Sequence, residues 1–203
     1  MKSAEKPKRT EFDMKHKLVA IVGMCGSGKS DATEWFVERG WDRVYFGGVT
    51  MEELKKKGLP VTPENEKAER EGLRREFGMA AYAHKLKDTI LEKLEKGNVV
   101  LDGLYSWSEY KYITENISSE LVVICIVTDR HLRYARLAQR PFRPLTAEQA
   151  VGRDYSEIEN LEKGGPIAIA DRFVSNNGSR EEFRRAIVAL LDELEGACLS
   201  TKA

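Results

Sequence analysis

One segment constrains this chain more than any other. Gly23-Met24-Cys25-Gly26-Ser27-Gly28-Lys29-Ser30 satisfies G-x-x-x-x-G-K-[ST] at every fixed position. The run Leu18–Val22 before it is apolar and rich in β-branched residues, as a buried strand is, and Ser30–Glu38 after it can form a helix. In that setting the glycines let successive N–H groups curl inward toward phosphate oxygens, and the helix N-terminus adds partial positive charge. The predicted phosphate contacts are Gly23, Gly26, Ser27, Gly28, Lys29 and Ser30. Lys29 is placed on the terminal phosphates and Ser30 on Mg²⁺, with ATP as the nucleotide.

The rest of the chain repeats the same alternation. Val44–Phe46, Asn98–Asp102, Leu121–Val127 and Ala170–Ser175 read as further strands. The second is expected to close on Gly47-Gly48, and residues 51–96 read as mostly helical, broken at Gly58-Leu59-Pro60 and near Gly78. A helix is expected from about Asp129 until Pro141 and Pro144, another over Thr146–Lys163 ending at Gly164-Gly165, and a last amphipathic one capped by Ser179, with Phe183, Ile187, Leu190, Leu191 and Leu194 on one side. Strands alternating with helices imply an α/β fold with a mainly parallel sheet covered on both faces, and ligands bind at the carboxyl ends of such strands. The chain of 203 residues suits one domain, residues 18–203, after a charged N-terminal tail over residues 1–17 that is expected to be flexible.

Composition narrows the function. Lys+Arg and Asp+Glu both number 33, so a general nucleic-acid binder is disfavoured. No apolar run reaches membrane-spanning length. Three cysteines, an odd number without metal-ligand spacing, suit a reducing cytoplasm. His16, His84 and His131 form no cluster.

Two further features carry chemistry. Val99-Val100-Leu101-Asp102 is an apolar strand ending in an acid, and a second acid beside a phosphate loop holds Mg²⁺ or its water. Between residues 130 and 153, six arginines (Arg130, Arg133, Arg136, Arg140, Arg143 and Arg153) face one acid, Glu148. Arg133, Arg136 and Arg140 share a helix face by spacing, and guanidinium forks bind phosphate bidentately. Arg70, Arg74 and Arg75 lie among Glu69, Glu71 and Glu76, so a charged surface and an acceptor-binding helix are equally good readings there. Tyr105, Trp107, Tyr110 and Tyr112 suit core packing or a partner surface better than a pocket.

The loop, the Asp102-Gly103 strand and the arginine segment resemble the adenylate-kinase-like branch of P-loop kinases. The tail from Ala170-Asp171-Arg172 through Asn176-Asn177-Gly178-Ser179 to Glu181-Glu182 is similar to the end of dephospho-CoA kinases. The run from Arg153-Asp154 through Gly164-Gly165 to Ala170-Asp171 looks like an uncharacterised dephospho-CoA-kinase-like, adenylate-kinase-related group. The resemblance implies a five-stranded parallel core, an acceptor-binding segment at about 47–85 and an arginine-bearing lid at about 136–165. It further implies that Asn176-Asn177-Gly178 approaches the adenine, with Asn177 and Gly178 as its contacts. Lys29, Asp102, Arg136 and Arg140 are then the catalytic candidates, Ser30 and Asp102 the Mg²⁺ ligands, and Arg70 and Arg74 the acceptor contacts. The expected acceptor is dephospho-CoA, with a nucleoside monophosphate next. Kinases of this branch usually carry an acid at the end of strand two, where this chain has Gly47-Gly48-Val49-Thr50-Met51. That departure supports a reading of another class, an ATP-binding regulatory NTPase signalling through a protein partner.

Overall fold

The computed structural model describes residues 15–118 and 120–196. The predicted N-terminal tail falls outside them as far as residue 14, and so does Cys198. Five strands, β1 (Leu18–Val22), β2 (Asp42–Tyr45), β3 (Val99–Asp102), β4 (Val122–Val127) and β5 (Arg172–Ser175), form one parallel sheet in the order β2-β3-β1-β4-β5. The intervening helices are α1 (Lys29–Glu38), α2 (Gly47–Lys56), α3 (Pro63–Phe77), α4 (Ala81–Leu94), α5 (Trp107–Asn116), α6 (Arg130–Ala138), α7 (Ala147–Glu159), α8 (Gly164–Ala168) and α9 (Arg180–Gly196). No described helix is long and apolar enough to cross a membrane.

β1 lies at the centre and its residues divide by the two-residue period of a strand. Leu18, Ala20 and Val22 join one core with Val44, Leu101, Ile90 and Ile113; Val19 and Ile21 join another with Phe36, Ile124, Phe183 and Ile187. The second core seats α1 against α9, with Trp35 edge-on to Phe183 at 5.1 Å between ring centroids. Phe36 is fully buried there, and full burial of such a side chain stabilises by about 1.5–3 kcal/mol.

Local signals mark the helix ends. The Thr62 hydroxyl accepts from Asn65 N–H at the start of α3. Ser179 and Glu182 exchange hydrogen bonds at the start of α9, as a capping box does. Two expectations need correction. Gly47-Gly48 does not close strand two in a turn; the pair opens α2, because Phe46 is already in helical conformation. The helix expected through Lys163 ends at Glu159, and Gly164-Gly165 begins α8. The aromatic segment after Asp102 forms α5, started by a reciprocal Ser106–Glu109 capping box.

Candidate active site at the phosphate loop

β1 ends against the loop, and the register pairs Ile21 with Asp102 of β3 and Val22 with Cys125 of β4. The loop therefore leaves the sheet at the carboxyl ends of its central strands. Its glycines are steric requirements. Gly23 has φ +140°, and a Cβ there would stand 2.6 Å from the Ile126 carbonyl oxygen. Gly28 has φ +101°, and a Cβ would overlap the Asn176 amide. That amide donates to the Ser27 carbonyl at 2.8 Å, and the Thr128 hydroxyl donates to the same oxygen at 3.0 Å. The ends of β4 and β5 thus hold the loop from below.

Lys29 donates to the Met24 carbonyl at 3.0 Å, which folds the ammonium back along the loop. Burial, reinforced by the nearby charge of Lys163, lowers its pKa from 10.5 to about 7. Ser30 is exposed at the first turn of α1. Asp102 is buried at the end of β3 and is ion-paired with Arg43 of β2. Ser30 and Asp102 offer the hard oxygen donors that suit Mg²⁺, which takes one or two protein oxygens alongside phosphates and waters. Among the described residues no three His, Cys, Asp or Glu side chains gather as an independent metal site.

The arginine segment divides into distinct roles. Arg133 lies on the predicted face, but its fork is bidentate to Asp154 of α7 at 2.6 and 2.8 Å, and it also donates to the Cys25 carbonyl. It braces the loop against α7, which corrects the expectation that it shares a free phosphate-binding face with Arg136 and Arg140. Arg136 donates to the Asn176 carbonyl at 2.9 Å, and its other terminal nitrogen is buried with no hydrogen-bond partner among the described residues. Arg140 lies beyond the end of α6 and is exposed. Asn177 clasps Asp129 through two hydrogen bonds at the surface, beside Gly178.

Sequence reasoning missed a charge cluster under α7. Glu157, 2% exposed, accepts from the Cys25 backbone N–H at 3.1 Å, from Lys163 at 2.7 Å and from Arg153 at 3.1 Å. Lys163 is itself 1% exposed and lies over the Tyr105 ring at 4.9 Å. Burial pushes the Glu157 carboxyl up, but Lys163, Lys29 and Arg153 outweigh burial and hold it below the usual carboxylate range. The only advance signal was an acid and a lysine just ahead of Gly164-Gly165.

Next to this cluster a cavity of about 1020 Å³ opens between α3, α4 and the 143–161 segment. Lys67, Arg70, Arg74, Arg75, Arg143 and Arg153 line it against only Glu66 and Glu71. Arg70 and Arg143 both contact Glu66. Arg74 lies over the Tyr82 ring at 5.7 Å, and its buried Nε has no partner among the described residues. The α3 arginines therefore do not form a mere solvated face; they converge with Arg143 and Arg153 on one cavity.

Comparison with known proteins agrees with this architecture. The family model AAA_18, an AAA domain, matches residues 19–160. The chain belongs to that family. This AAA_18 chain is 36% identical over 182 residues to a UPF0200 protein of Thermococcus kodakarensis, covering 87% of this chain and 97% of the relative. It is 35% identical over 180 residues to a UPF0200 protein of Methanocaldococcus jannaschii, covering 87% and 90%. Among solved structures it resembles shikimate kinase from Acinetobacter baumannii (TM-score 0.59, 16% identity, 93% and 96% of the two chains). It also resembles dephospho-CoA kinase from Campylobacter jejuni (TM-score 0.52, 20% identity, 88% and 97%). The AAA_18 chain thus has a P-loop kinase fold.

Proposed function

We propose that this protein transfers the γ-phosphoryl group of ATP to a small acceptor that carries its own phosphate, with dephospho-CoA first and a nucleoside monophosphate second. The observation that carries the reading is the arginine-lined cavity that shares Arg153 with the Glu157 cluster, where a buried nitrogen of Arg74 has no partner among the described residues. Six basic and two acidic residues around the cavity suit an anion, and the volume of about 1020 Å³ admits a nucleotide-sized molecule.

Phosphoryl transfer is chiefly positioning and charge neutralisation. Lys29 and the loop N–H groups would hold the nucleotide phosphates, and Asn177 and Gly178 would border the adenine. Mg²⁺, held by Ser30 and Asp102, would neutralise phosphate charge. Arg136, with a terminal nitrogen unpartnered among the described residues, would meet charge developing on the transferred group, and Arg140 would join it when the lid closes. Arg70 and Arg74 would bind the acceptor's phosphate. The test is transfer from labelled ATP with Mg²⁺ to a panel of dephospho-CoA, nucleoside monophosphates, nucleosides, shikimate and gluconate. Label on the phosphorylated acceptors alone is the expected result. Label released only to water, or transferred equally to unphosphorylated nucleosides, would overturn the reading.

A further inference from the structure

The loop that should receive phosphate has an anion of the protein's own upon it. The Glu157 carboxylate takes the Cys25 N–H, a group that such loops direct at phosphate, and it does so while bonded to Lys163 and Arg153. This contact spans 132 residues of sequence, from α7 to the phosphate loop. It is not a cap or a turn. A carboxylate with 2% exposure among Lys29, Lys163 and Arg153 is chemically what a bound phosphate oxygen would be. Lys163 has 1% exposure and no short-range reason to be inside. A buried lysine is costly unless an anion faces it, and Glu157 is that anion here.

We propose that Lys163 is a phosphate-binding residue of this site and that Glu157 is the internal anion it exchanges for nucleotide phosphate. When phosphate takes the Cys25 N–H, Glu157 leaves the loop, and Lys163 and Arg153 pass from the carboxylate to the phosphate. The exchange conserves the number of charge-assisted bonds, so it sets a threshold for ligand charge. A triphosphate can replace the carboxylate, whereas a weakly charged molecule cannot. The inference rests on the reading that nucleotide phosphate binds this loop, and deepens it.

The test is calorimetric binding of ATP and of inorganic triphosphate to the full chain and to four variants. Glu157→Gln removes the competing charge, and Glu157→Asp keeps the charge but is too short to span Lys163 and the loop. Both are expected to bind ATP about tenfold more tightly, about 1.4 kcal/mol. A purely electrostatic effect would move the Gln variant and leave the Asp variant at the wild-type value, which would overturn the exchange. Lys163→Met is expected to bind about tenfold more weakly, and Lys163→Arg to recover most of that loss. Unchanged affinity in the Lys163 variants would overturn the role given to Lys163. Should the variants fold poorly, the unsubstituted protein still decides. Its Glu157 side-chain carboxyl ¹³C resonance, assigned through the backbone, is expected to shift on saturation with ATP. An unmoved resonance at saturation would overturn the exchange and leave the loop's role standing, whereas absence of any ATP binding by the unsubstituted protein would remove both.

Discussion

On the proposed reading Lys29 occupies a position that favours phosphate, while its burial disfavours the ligand-free fold, and replacing it with methionine separates the two effects. Its pKa falls from 10.5 in an unfolded chain to about 7 in the fold, first because burial strips the ammonium of water and then because Lys163 is near. Each tenfold change in acidity constant is worth about 1.4 kcal/mol, so the charge costs roughly 4 kcal/mol of stability at neutral pH. Lys29 keeps part of its side chain in solvent, and screening reduces this to about 1–3 kcal/mol. The sign follows from proton counting. Between about pH 7 and 10.5 the unfolded chain holds a proton that the folded chain has released, so stability rises with pH across that window. The penalty is complete below pH 7 and gone above 10.5. Lys29→Met should therefore unfold in urea with a free energy about 1–3 kcal/mol above the wild type at pH 7. The gap should close toward pH 10.5, while ATP binding falls by at least about a hundredfold. A variant that is no more stable at pH 7, or a gap that ignores pH, would refute the desolvation argument. Unchanged ATP affinity would refute the phosphate contact.

Other perturbations address the remaining parts of the site. Arg74→Ala is expected to raise the acceptor KM by about tenfold and to leave the ATP KM within about twofold, read by steady-state kinetics, because its guanidinium faces the cavity and not the loop. Asp102→Asn should lower turnover by at least about tenfold, most steeply at limiting Mg²⁺; wild-type turnover there would leave Asp102 only its ion pair with Arg43. Gly28→Ala should destabilise by about 1–3 kcal/mol in thermal melts, since the added Cβ meets the Asn176 amide at a φ of +101°. ATP with a competent acceptor should slow amide exchange between residues 136 and 165, and no protection at saturation would make that segment a static surface.

The sequence carried the frame because its signals were local. The run Leu18–Val22 ending in the loop motif, and the apolar run ending at Asp102, each hold their own strand and its functional end. The α9 face over Phe183, Ile187, Leu190 and Leu191 was legible from its spacing, since a helical period is written into consecutive residues. What escaped were relations between distant segments. Arg133 looked like a free member of a basic face because its partner, Asp154, sits one helix later. Glu157 and Lys163 carried no local signal, because only the folded chain brings both beneath Cys25. Asn176 was read with its neighbours as a nucleotide contact, yet it is buried and ties down Ser27. The α3 arginines were ambiguous because flanking glutamates say nothing about which side of a helix meets a cavity. Gly47-Gly48 misled because paired glycines fit a helix start as well as a turn, and here Phe46 is already helical and α2 begins at Gly47.

The charge asymmetry of the cavity also shapes how a ligand arrives. The chain as a whole is neutral, so at long range it exerts almost no pull on an anion, and six basic side chains are felt only near the cavity mouth. At physiological ionic strength that field reaches about 8 Å. A polyanion therefore meets this protein by ordinary diffusion and is sorted only after contact. Association should be nearly indifferent to salt, whereas residence should shorten as salt rises. On the proposed reading, such a protein would discriminate among phosphates by how long each stays, not by how fast each comes.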